Sequence, residues 1–230
     1  MPASLIATLN GVDATTTGVT IDDAGNTISA NFLDGVCLSG AGTRDNEVQG
    51  NLIGTNAAGD AAAPNNGEGV LIKGPGNTIG GKGADEGNVI SGNVLAGIVL
   101  NGAGATGNQV LGNYIGTRAD GLTAMGNGKS GVILQNAPDN VVGGTAPGAG
   151  NLISANDGSG IVIVGASSTS NVIEGNIIRE HWYGIAITGG ALPDLGHAEP
   201  LEGQSNGWNV MIDNGLGDEV YAIFNNTSNP

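Results

Sequence analysis

The residues best suited to chemistry are concentrated in one stretch of the chain, positions 174–208. This stretch holds both histidines and both tryptophans of the protein, together with several carboxylates. The candidates are Arg179, Glu180, His181, Trp182, Tyr183, His197, Glu199 and Trp208. Carboxylates beside a histidine or an arginine can transfer protons, and aromatic faces can stack on sugar rings. The stretch is therefore the first candidate for a functional site.

Three interpretations of this stretch are open. A catalytic site would use Glu180 or Glu199 as acid or base, assisted by His181 or Arg179. A ligand site would instead present the aromatic residues and a histidine, namely Trp182, Tyr183, Trp208 and His197. The third interpretation is structural, because a solenoid must cover its open end and bulky residues can do so. Capping is the simplest of the three.

A second candidate is a calcium site in the segment GGKGADEG, which spans positions 80–87. Its first six residues match the start of the calcium-binding pattern G-G-x-G-x-D, and carboxylate oxygens in a tight turn can bind calcium. Asp85 and Glu86 would be the ligands. The equivalent segment at 143–150, GGTAPGAG, has no acidic residue, which favours an ordinary loop. Calcium is the one cofactor that the sequence suggests.

Charge narrows the range of partners. Six Lys and Arg residues against 21 Asp and Glu give a formal net charge of −15. Such a charge opposes binding to nucleic acids and to anionic lipid surfaces. No apolar run approaches the ~18 residues of a membrane span, so we expect no membrane insertion. The first residues also lack the basic and apolar regions of a signal peptide.

The chain contains an internal sequence repeat, and the candidate residues lie within or next to its units. Residues 35–55 match residues 97–117, and residues 69–93 match residues 131–156. Each of these long units divides into two shorter ones that begin with Gly-apolar-x-apolar. The short units begin at Gly35, Gly69, Gly97, Gly131, Gly160 and Gly184, with a shorter relative at Gly18.

The repeat predicts an all-β fold, a single-stranded parallel β-helix of about seven coils. Each unit has three short β-like runs joined by turns too brief for a helix, as one coil of such a solenoid requires. An antiparallel sandwich or barrel is the alternative, but it needs hairpin signals and leaves the repeat unexplained. We expect an N-terminal strand or cap at 1–17, repeats at 18–190, and a final coil with its cap at 191–230.

Stacked coils place equivalent residues above one another. One apolar column should contain Val36, Val70, Ile98, Val132, Ile161 and Ile185, and a second should contain Leu38, Ile72, Leu100, Leu134, Ile163 and Ile187. Asparagine recurs at the turns in two series, Asn46, Asn108 and Asn171 and then Asn51, Asn113 and Asn176. Asparagine tolerates left-handed backbone and bonds to neighbouring turn amides, so these series are predicted to be structural.

The residues between the two apolar columns should face outward. They are Thr20, Cys37, Leu71, Val99, Ile133, Val162 and Ala186, whereas the outward positions of the second strand are Thr27, Glu47, Thr78, Gln109, Val141 and Val172. An apolar stripe on an outer face is usually covered. We therefore expect either self-association through Leu71, Val99, Ile133 and Val162, or cover by a long loop at 56–68 or 118–130.

Several segments resemble a known class of repeats. GAGATGNQVLGNYIGT at 102–117, NTIGG at 77–81 and GNVISGN at 87–93 are similar to the right-handed parallel β-helix repeats of secreted and surface bacterial proteins, in the pectate-lyase-like superfamily. The resemblance implies a right-handed coil and a secreted or cell-surface location. It does not imply one chemistry, because that superfamily includes lyases, hydrolases, epimerases, phage spikes and adhesins.

These observations together favour a non-catalytic extracellular module for surface presentation or carbohydrate recognition. Its partner would be a polysaccharide or a cell-surface glycan, contacted through the aromatic segment and through loops 56–68 and 118–130. Two alternatives stay open. The chain could be a polysaccharide lyase or glycoside hydrolase with a site near 174–208, or a fragment of a longer adhesin or phage-spike fibre.

Overall fold

The protein is a right-handed parallel β-helix of seven coils. The computed structural model describes residues 20–21, 25–40, 42–195, 209–214 and 223–226. In this part of the chain every regular element is a β-strand, and three seven-stranded parallel sheets are formed. No helix among these residues has the length and apolar character of a membrane span. The predicted all-β solenoid of about seven coils is confirmed.

Each coil contributes one strand to each sheet. Sheet 1 contains β1 (Thr20–Ile21), β4 (Glu47–Val48), β7 (Thr78–Gly80), β10 (Gln109–Leu111), β13 (Val141–Gly143), β16 (Thr169–Glu174) and β19 (Leu192–Asp194). Sheet 2 contains β2 (Thr27–Ile28), β5 (Leu52–Ile53), β8 (Val89–Ile90), β11 (Tyr114–Ile115), β14 (Leu152–Ser154), β17 (Ile177–Arg179) and β20 (Val210–Ile212). Sheet 3 contains β3 (Val36–Leu38), β6 (Val70–Ile72), β9 (Ile98–Asn101), β12 (Val132–Gln135), β15 (Ile161–Val164), β18 (Ile185–Thr188) and β21 (Ile223–Asn226). Coil 1 is thus β1 to β3, and coil 7 is β19 to β21.

The core consists of the predicted apolar columns. Val70 pairs with Val36 on one side and with Ile98 on the other, and the same register continues along sheet 3. All twelve predicted column residues are buried. Burying a large aliphatic side chain contributes about 1.5–3 kcal/mol, so the columns supply much of the driving force for folding.

The first coil corrects one prediction. Thr20 pairs with Glu47 in sheet 1, and Thr27 pairs with Leu52 in sheet 2. The strand of the unit that begins at Gly18 was therefore assigned to the wrong sheet, because it belongs to sheet 1 and not to sheet 3. Its GVTI sequence has the pattern of a sheet 3 strand. The lengths of the turns that follow this strand, however, determine the sheet to which it belongs. Thr20 is not part of the outward stripe of sheet 3.

Ladders of asparagine side chains join the coils at their three corners. In each ladder the Oδ1 atom of one residue accepts hydrogen bonds from the backbone N–H and the Nδ2 of the asparagine one coil earlier. The first ladder is Asn46, Asn77, Asn108, Asn140 and Asn171. The second is Asn26, Asn51, Asn88, Asn113, Asn151, Asn176 and Asn209. The third is Asn31, Asn65, Asn93, Asn127 and Asn156, continued by His181 and Asn214.

The ladders confirm the structural role predicted for the two asparagine series. Buried amides satisfied on both sides stabilise each turn and fix its register against the next. The left-handed backbone, however, lies on a neighbouring residue. Asp45 and Asp139 precede Asn46 and Asn140 and have φ angles of 56° and 57°. The asparagine itself must direct its N–H along the helix axis, which is the orientation of a strand residue.

Candidate functional site

A groove lies over the turns between sheets 1 and 2 and over the adjoining outer face of sheet 2. Its volume is about 920 Å³, and its lining extends from Gly25 in coil 1 to Gly150 in coil 5. Neighbouring strands lie ~4.8 Å apart, so five coils give the groove a length of ~19 Å. The groove therefore runs parallel to the helix axis and crosses the strands.

Glycines form the edge of the groove where sheet 1 turns into sheet 2. Gly25, Gly50, Gly87, Gly112 and Gly150 line it, and each directly precedes an asparagine of the second ladder. A Cβ atom on Gly112 would collide with the backbone carbonyls of Gly81 and Gly148, and one on Gly87 would collide with that of Gly112. The backbone of neighbouring turns is therefore packed too closely at these two positions for any residue with a Cβ atom.

The first wall of the groove is the long turn 81–88 of coil 3. The Glu86 carboxylate holds this turn together, since its Oε2 accepts hydrogen bonds from the backbone N–H groups of Lys82 and Gly83 at 2.9 and 2.8 Å. The side chains of Lys82 and Asp85 are exposed beside the groove. Glu86 therefore has a structural use that the sequence did not reveal.

The geometry of this turn does not test the calcium site predicted at Asp85 and Glu86. Within the described ranges, no group of three or more His, Cys, Asp or Glu side chains is placed to hold a metal ion. Glu86 already accepts two backbone hydrogen bonds through one oxygen. Calcium binding by Asp85 and Glu86 stays a prediction.

The second wall is formed by Ala119, which belongs to the coil-4 loop (117–124) that follows sheet 2. Coil 2 has an equivalent loop, the coil-2 loop (55–62), and an antiparallel bridge closes the base of each, Thr55 with Ala62 and Thr117 with Ala124. The two loops contact one another although they arise two coils apart, because the backbone N–H of Ala119 donates to the carbonyl of Gly59 at 2.9 Å.

The coil-4 loop folds back onto sheet 2. A Cβ atom built on Gly121 would lie 3.2 Å from the ring of Tyr114 and 3.5 Å from Leu152. Asp120 holds the loop tip, since its carboxylate accepts hydrogen bonds from Thr123, through its backbone N–H and its hydroxyl, and from the backbone N–H of Leu122. The bonds from Thr123 contribute most to lowering the pKa of Asp120 to about 2.

Tyr114 lies between the two walls and is the aromatic residue of the groove. It occupies the outward position of β11 and is 40% exposed. Its counterparts on the outer face of sheet 2 are Thr27 and the aliphatic residues Leu52, Val89, Leu152, Ile177 and Val210. Tyr114 was not among the site residues predicted from the sequence. An aromatic residue at an outward position of a mostly aliphatic column was the available signal.

The predicted catalytic residues of coil 6 have separate partners. Arg179 donates from Nη2 to the carbonyl of Gly121 at 3.1 Å, and its buried Nε has no hydrogen-bond partner. The Oε2 of Glu180 accepts a hydrogen bond from Ser154 Oγ at 3.1 Å. Among the residues described, no hydrogen bond or salt bridge joins Arg179, Glu180 and His181. Catalysis by this group stays a prediction.

His181 is a member of the third ladder and is 3% exposed. Its Nε2 lies 3.1 Å from the Nδ2 of Asn156, and its Nδ1 lies 3.3 Å from the Oδ1 of Asn214. Because Asn156 presents an amide donor and Asn214 a carbonyl acceptor, the arrangement fits a neutral ring with its proton on Nδ1. Burial lowers the pKa of His181 to about 4, against a smaller opposing effect of the bond to Asn214.

Two of the predicted ligand-binding aromatics, Trp182 and Tyr183, lie in the described part of the chain. Trp182 is 57% exposed at the corner between sheets 2 and 3. Tyr183 is half-buried and stacks on Phe224 of coil 7, with 4.9 Å between ring centroids. His197, Glu199 and Trp208 lie outside the described residues. A binding role for these four aromatic and histidine residues stays a prediction.

The outward stripe of sheet 3 is partly shielded. Leu71, Ile133 and Val162 are half-buried, and Val99 is buried. The coil-2 and coil-4 loops contact sheet 2 through Leu52 and Tyr114, which is the neighbouring face. Self-association through the four stripe residues stays a prediction.

No model of a protein family matches this chain, and no curated protein matches it either. The interpretation of the groove therefore depends on its own geometry and chemistry.

Proposed function

We propose that the protein is a non-catalytic extracellular module that binds a polysaccharide strand in the groove over sheet 2. The observation that carries this proposal is the position of Tyr114, a partly exposed aromatic ring beside the polar turn 81–88 in an elongated groove. A long open groove suits a polymer better than a small molecule, which is usually enclosed in a deeper pocket.

The lining supplies the contacts that sugars need. The ring of Tyr114 offers an apolar face for stacking and a hydroxyl for hydrogen bonding. Lys82, Asp85 and Gln49 place a donor, an acceptor and an amide along the opposite side. The backbone groups of the glycine edge are within reach of a ligand because no side chains cover them.

Charge favours a neutral polysaccharide. The ionisable side chains that line the groove, apart from Tyr114, are Lys82, Asp85 and Glu86, so the groove has no excess of positive charge. The whole chain carries −15, which repels polyanions at a distance. A uronate polymer would need bridging cations, whereas a neutral chain needs none.

The proposal also includes the protein family and the cellular location. The repeats resemble those of the pectate-lyase-like superfamily, and the β-helix fold agrees with that resemblance. We place the protein in that superfamily and on the cell surface or in the secreted fraction, where polysaccharides are accessible. The rigid rod of seven coils would serve to display the groove.

Substitution of Tyr114 tests the proposed function. Loss of a stacking ring worth ~1 kcal/mol or more should weaken binding at least fivefold in Tyr114→Ala. Binding is measured by affinity electrophoresis against neutral polysaccharides, both β-linked and α-linked. Trp182→Ala is the control, because Trp182 is an exposed aromatic at a different corner of the rod.

The outcomes separate the two surfaces. Weaker binding in Tyr114→Ala with unchanged binding in Trp182→Ala supports the groove. The reverse result moves the binding surface to the corner that carries Trp182. Failure of the unsubstituted protein to bind any polysaccharide of the panel contradicts the proposed function itself.

A further inference from the structure

The outer face of sheet 3 is apolar or uncharged along most of its length. A stripe of outward residues runs along it from coil 1 to coil 6, namely Cys37, Leu71, Val99, Ile133, Val162 and Ala186. In coils 3 to 6 the next outward column is also uncharged and consists of Asn101, Gln135, Val164 and Thr188. The whole chain carries a formal net charge of −15, so an uncharged face of this extent is a candidate interface.

The stripe forms a continuous surface although its side chains are half-buried or buried. Neighbouring strands lie ~4.8 Å apart, so each side chain is shielded by the ones directly above and below it. Val99, for example, is 6% exposed between the larger residues Leu71 and Ile133, which are half-buried. The coil-2 and coil-4 loops contact the neighbouring face, sheet 2, through Leu52 and Tyr114. An aliphatic face of this kind can pack against a second sheet at a distance of ~10 Å.

Charges at the two edges of the stripe indicate what this face binds. Asp34 and Glu68 lie at the corner where β3 and β6 begin, and Asp34 Oδ1 accepts a hydrogen bond from the backbone N–H of Glu68 at 3.0 Å. Lys73 directly follows β6 at the opposite edge and is exposed. Burial and the Asp34 carboxyl raise the pKa of Glu68, against a smaller opposing effect of Lys129. Within the described part of the chain neither Glu68 nor Lys73 forms a salt bridge.

A second copy of this chain offers a partner to both charges. When two sheet 3 faces pack about a twofold axis parallel to the helix axis, each coil faces the same coil of the other copy and the facing strands run in opposite directions. The beginning of β6 then faces the end of β6, so Glu68 of each copy lies opposite Lys73 of the other. If the rods ran in opposite directions, coil 2 would face coil 5 or 6, where Ser159 and Tyr183 occupy the position of Glu68. Charge therefore favours parallel rods.

We propose that the protein forms a reversible homodimer through sheet 3, with the two rods parallel and Glu68 of each copy paired with Lys73 of the other. From coil 1 to coil 6 the stripe extends ~24 Å, and a width of about five residues adds ~16 Å, which gives a face of ~400 Å² per copy. Stable interfaces bury about twice this area per partner, so the dissociation constant should be micromolar or weaker. The inference goes beyond the proposed function, because the groove lies over sheet 2 and stays open in such a dimer.

A matched pair of substitutions tests the face. Val162→Glu places a charge within the stripe and should weaken dimerisation about tenfold or more. Val141→Glu is the control, because Val141 is a half-buried outward valine of sheet 1 in the same coil, and it should weaken dimerisation by less than about twofold. Sedimentation velocity at increasing protein concentration measures the dimer, and melting curves check that each variant folds. Equal weakening in both variants, or an unsubstituted protein that stays monomeric at ~500 μM, would overturn the proposal.

Charge reversal tests the parallel arrangement. Glu68→Lys and Lys73→Glu should each dimerise about fivefold more weakly when alone, because like charges then face each other twice across the axis. An equimolar mixture of the two variants should recover the dimer, since every facing pair is again opposite in charge. Recovery in the mixture supports the pairing of Glu68 with Lys73, whereas two variants that stay apart when mixed would overturn it. Neither result bears on polysaccharide binding, which is measured separately.

Discussion

Coils 4 and 6 occupy equivalent places in the two-coil repeat, yet they are built differently beyond their strands. In coil 4 the tip of the coil-4 loop packs beside Tyr114 and Leu152 at Gly121, and Asn127 is the member of the third ladder. In coil 6 the connection from β17 to β18 is only residues 180–184, and the ladder position is taken by His181. The strands of the two coils nevertheless share one register.

The comparison of coils 4 and 6 shows which parts of a coil are required to keep its strands in register with the neighbouring coils. The apolar columns and a ladder residue with a donor and an acceptor are present in both coils, so these determine the register. A long loop is not required, because coil 6 joins β17 to β18 through residues 180–184 alone. Surface features can therefore vary from coil to coil without disturbing the core, as in other solenoids.

The largest expected effect comes from breaking the ladder in coil 4. The Nδ2 of Asn127 donates to the Oδ1 of Asn156 and to the carbonyl of Ile90 at 2.8 and 3.0 Å. In Asn127→Asp a carboxylate would face these two acceptors in a buried site, which should cost about 3 kcal/mol or more of unfolding free energy at neutral pH. Urea denaturation followed by circular dichroism measures the loss.

Asn66 provides the matched control for that substitution. It is exposed, next to the ladder residue Asn65, and Asn66→Asp should change stability by no more than about 0.5 kcal/mol. Comparable losses in the two variants would mean that the added negative charge, and not the ladder, is responsible.

The contribution of the coil 6 ladder residue, His181, to the free energy of unfolding should depend on pH, whereas that of Asn127 in coil 4 should not. The pKa of His181 is about 4 in the folded protein, below the usual value near 6.5. Its contribution to stability is therefore complete above pH ~6.5 and is lost as the pH falls towards 4. His181→Asn should remove this dependence, so that wild type loses about 2 kcal/mol more than the variant between pH 7 and pH 4.5.

Unfolding in urea at both pH values measures this difference. All other ionisable residues are the same in the two proteins, so the comparison isolates His181. Parallel stability curves for the two proteins would show that His181 does not resist protonation in the folded state.

The smallest effect is expected at the contact between the two coils. Arg179→Ala removes the hydrogen bond to Gly121 and should lower the free energy of unfolding by about 1 kcal/mol. Because the contact holds the tip of the coil-4 loop, amide hydrogen exchange should accelerate in residues 118–124 more than in the sheets. Arg118→Ala is the control, since that exposed arginine lies in the same loop. Equal acceleration in both variants would contradict a specific role for Arg179.

Much of the fold could be predicted from the chain alone. The apolar columns that contain Val70 and Ile72 repeat at fixed places in the sequence, and only stacked coils place such residues together. The asparagine series were predicted to be structural because asparagine tolerates left-handed backbone and bonds to neighbouring turn amides. The first coil was misplaced because GVTI satisfies the local pattern of sheet 3, whereas the actual pairing of Thr20 with Glu47 depends on turns whose lengths follow no repeat.

The candidate site was far less predictable. His181 stands beside Glu180 and Arg179 in the sequence, which suggests chemistry, but these side chains point to different partners in three-dimensional space. Neighbouring residues in an extended strand or turn diverge in direction, so their proximity in sequence does not bring their functional groups together. Tyr114, in contrast, gave little signal because its neighbours in the groove come from other coils.

The interior aliphatic columns, the structural asparagines at the corners and the stack of about seven coils all follow from the amino-acid sequence. Those features depend on residue types that recur at a regular spacing, so they are visible along one dimension. The axial groove beside Tyr114 and the place of His181 in an asparagine ladder became apparent only in the folded protein. These arrangements depend on contacts between residues about 25 to 60 positions apart, which the folded backbone alone brings together.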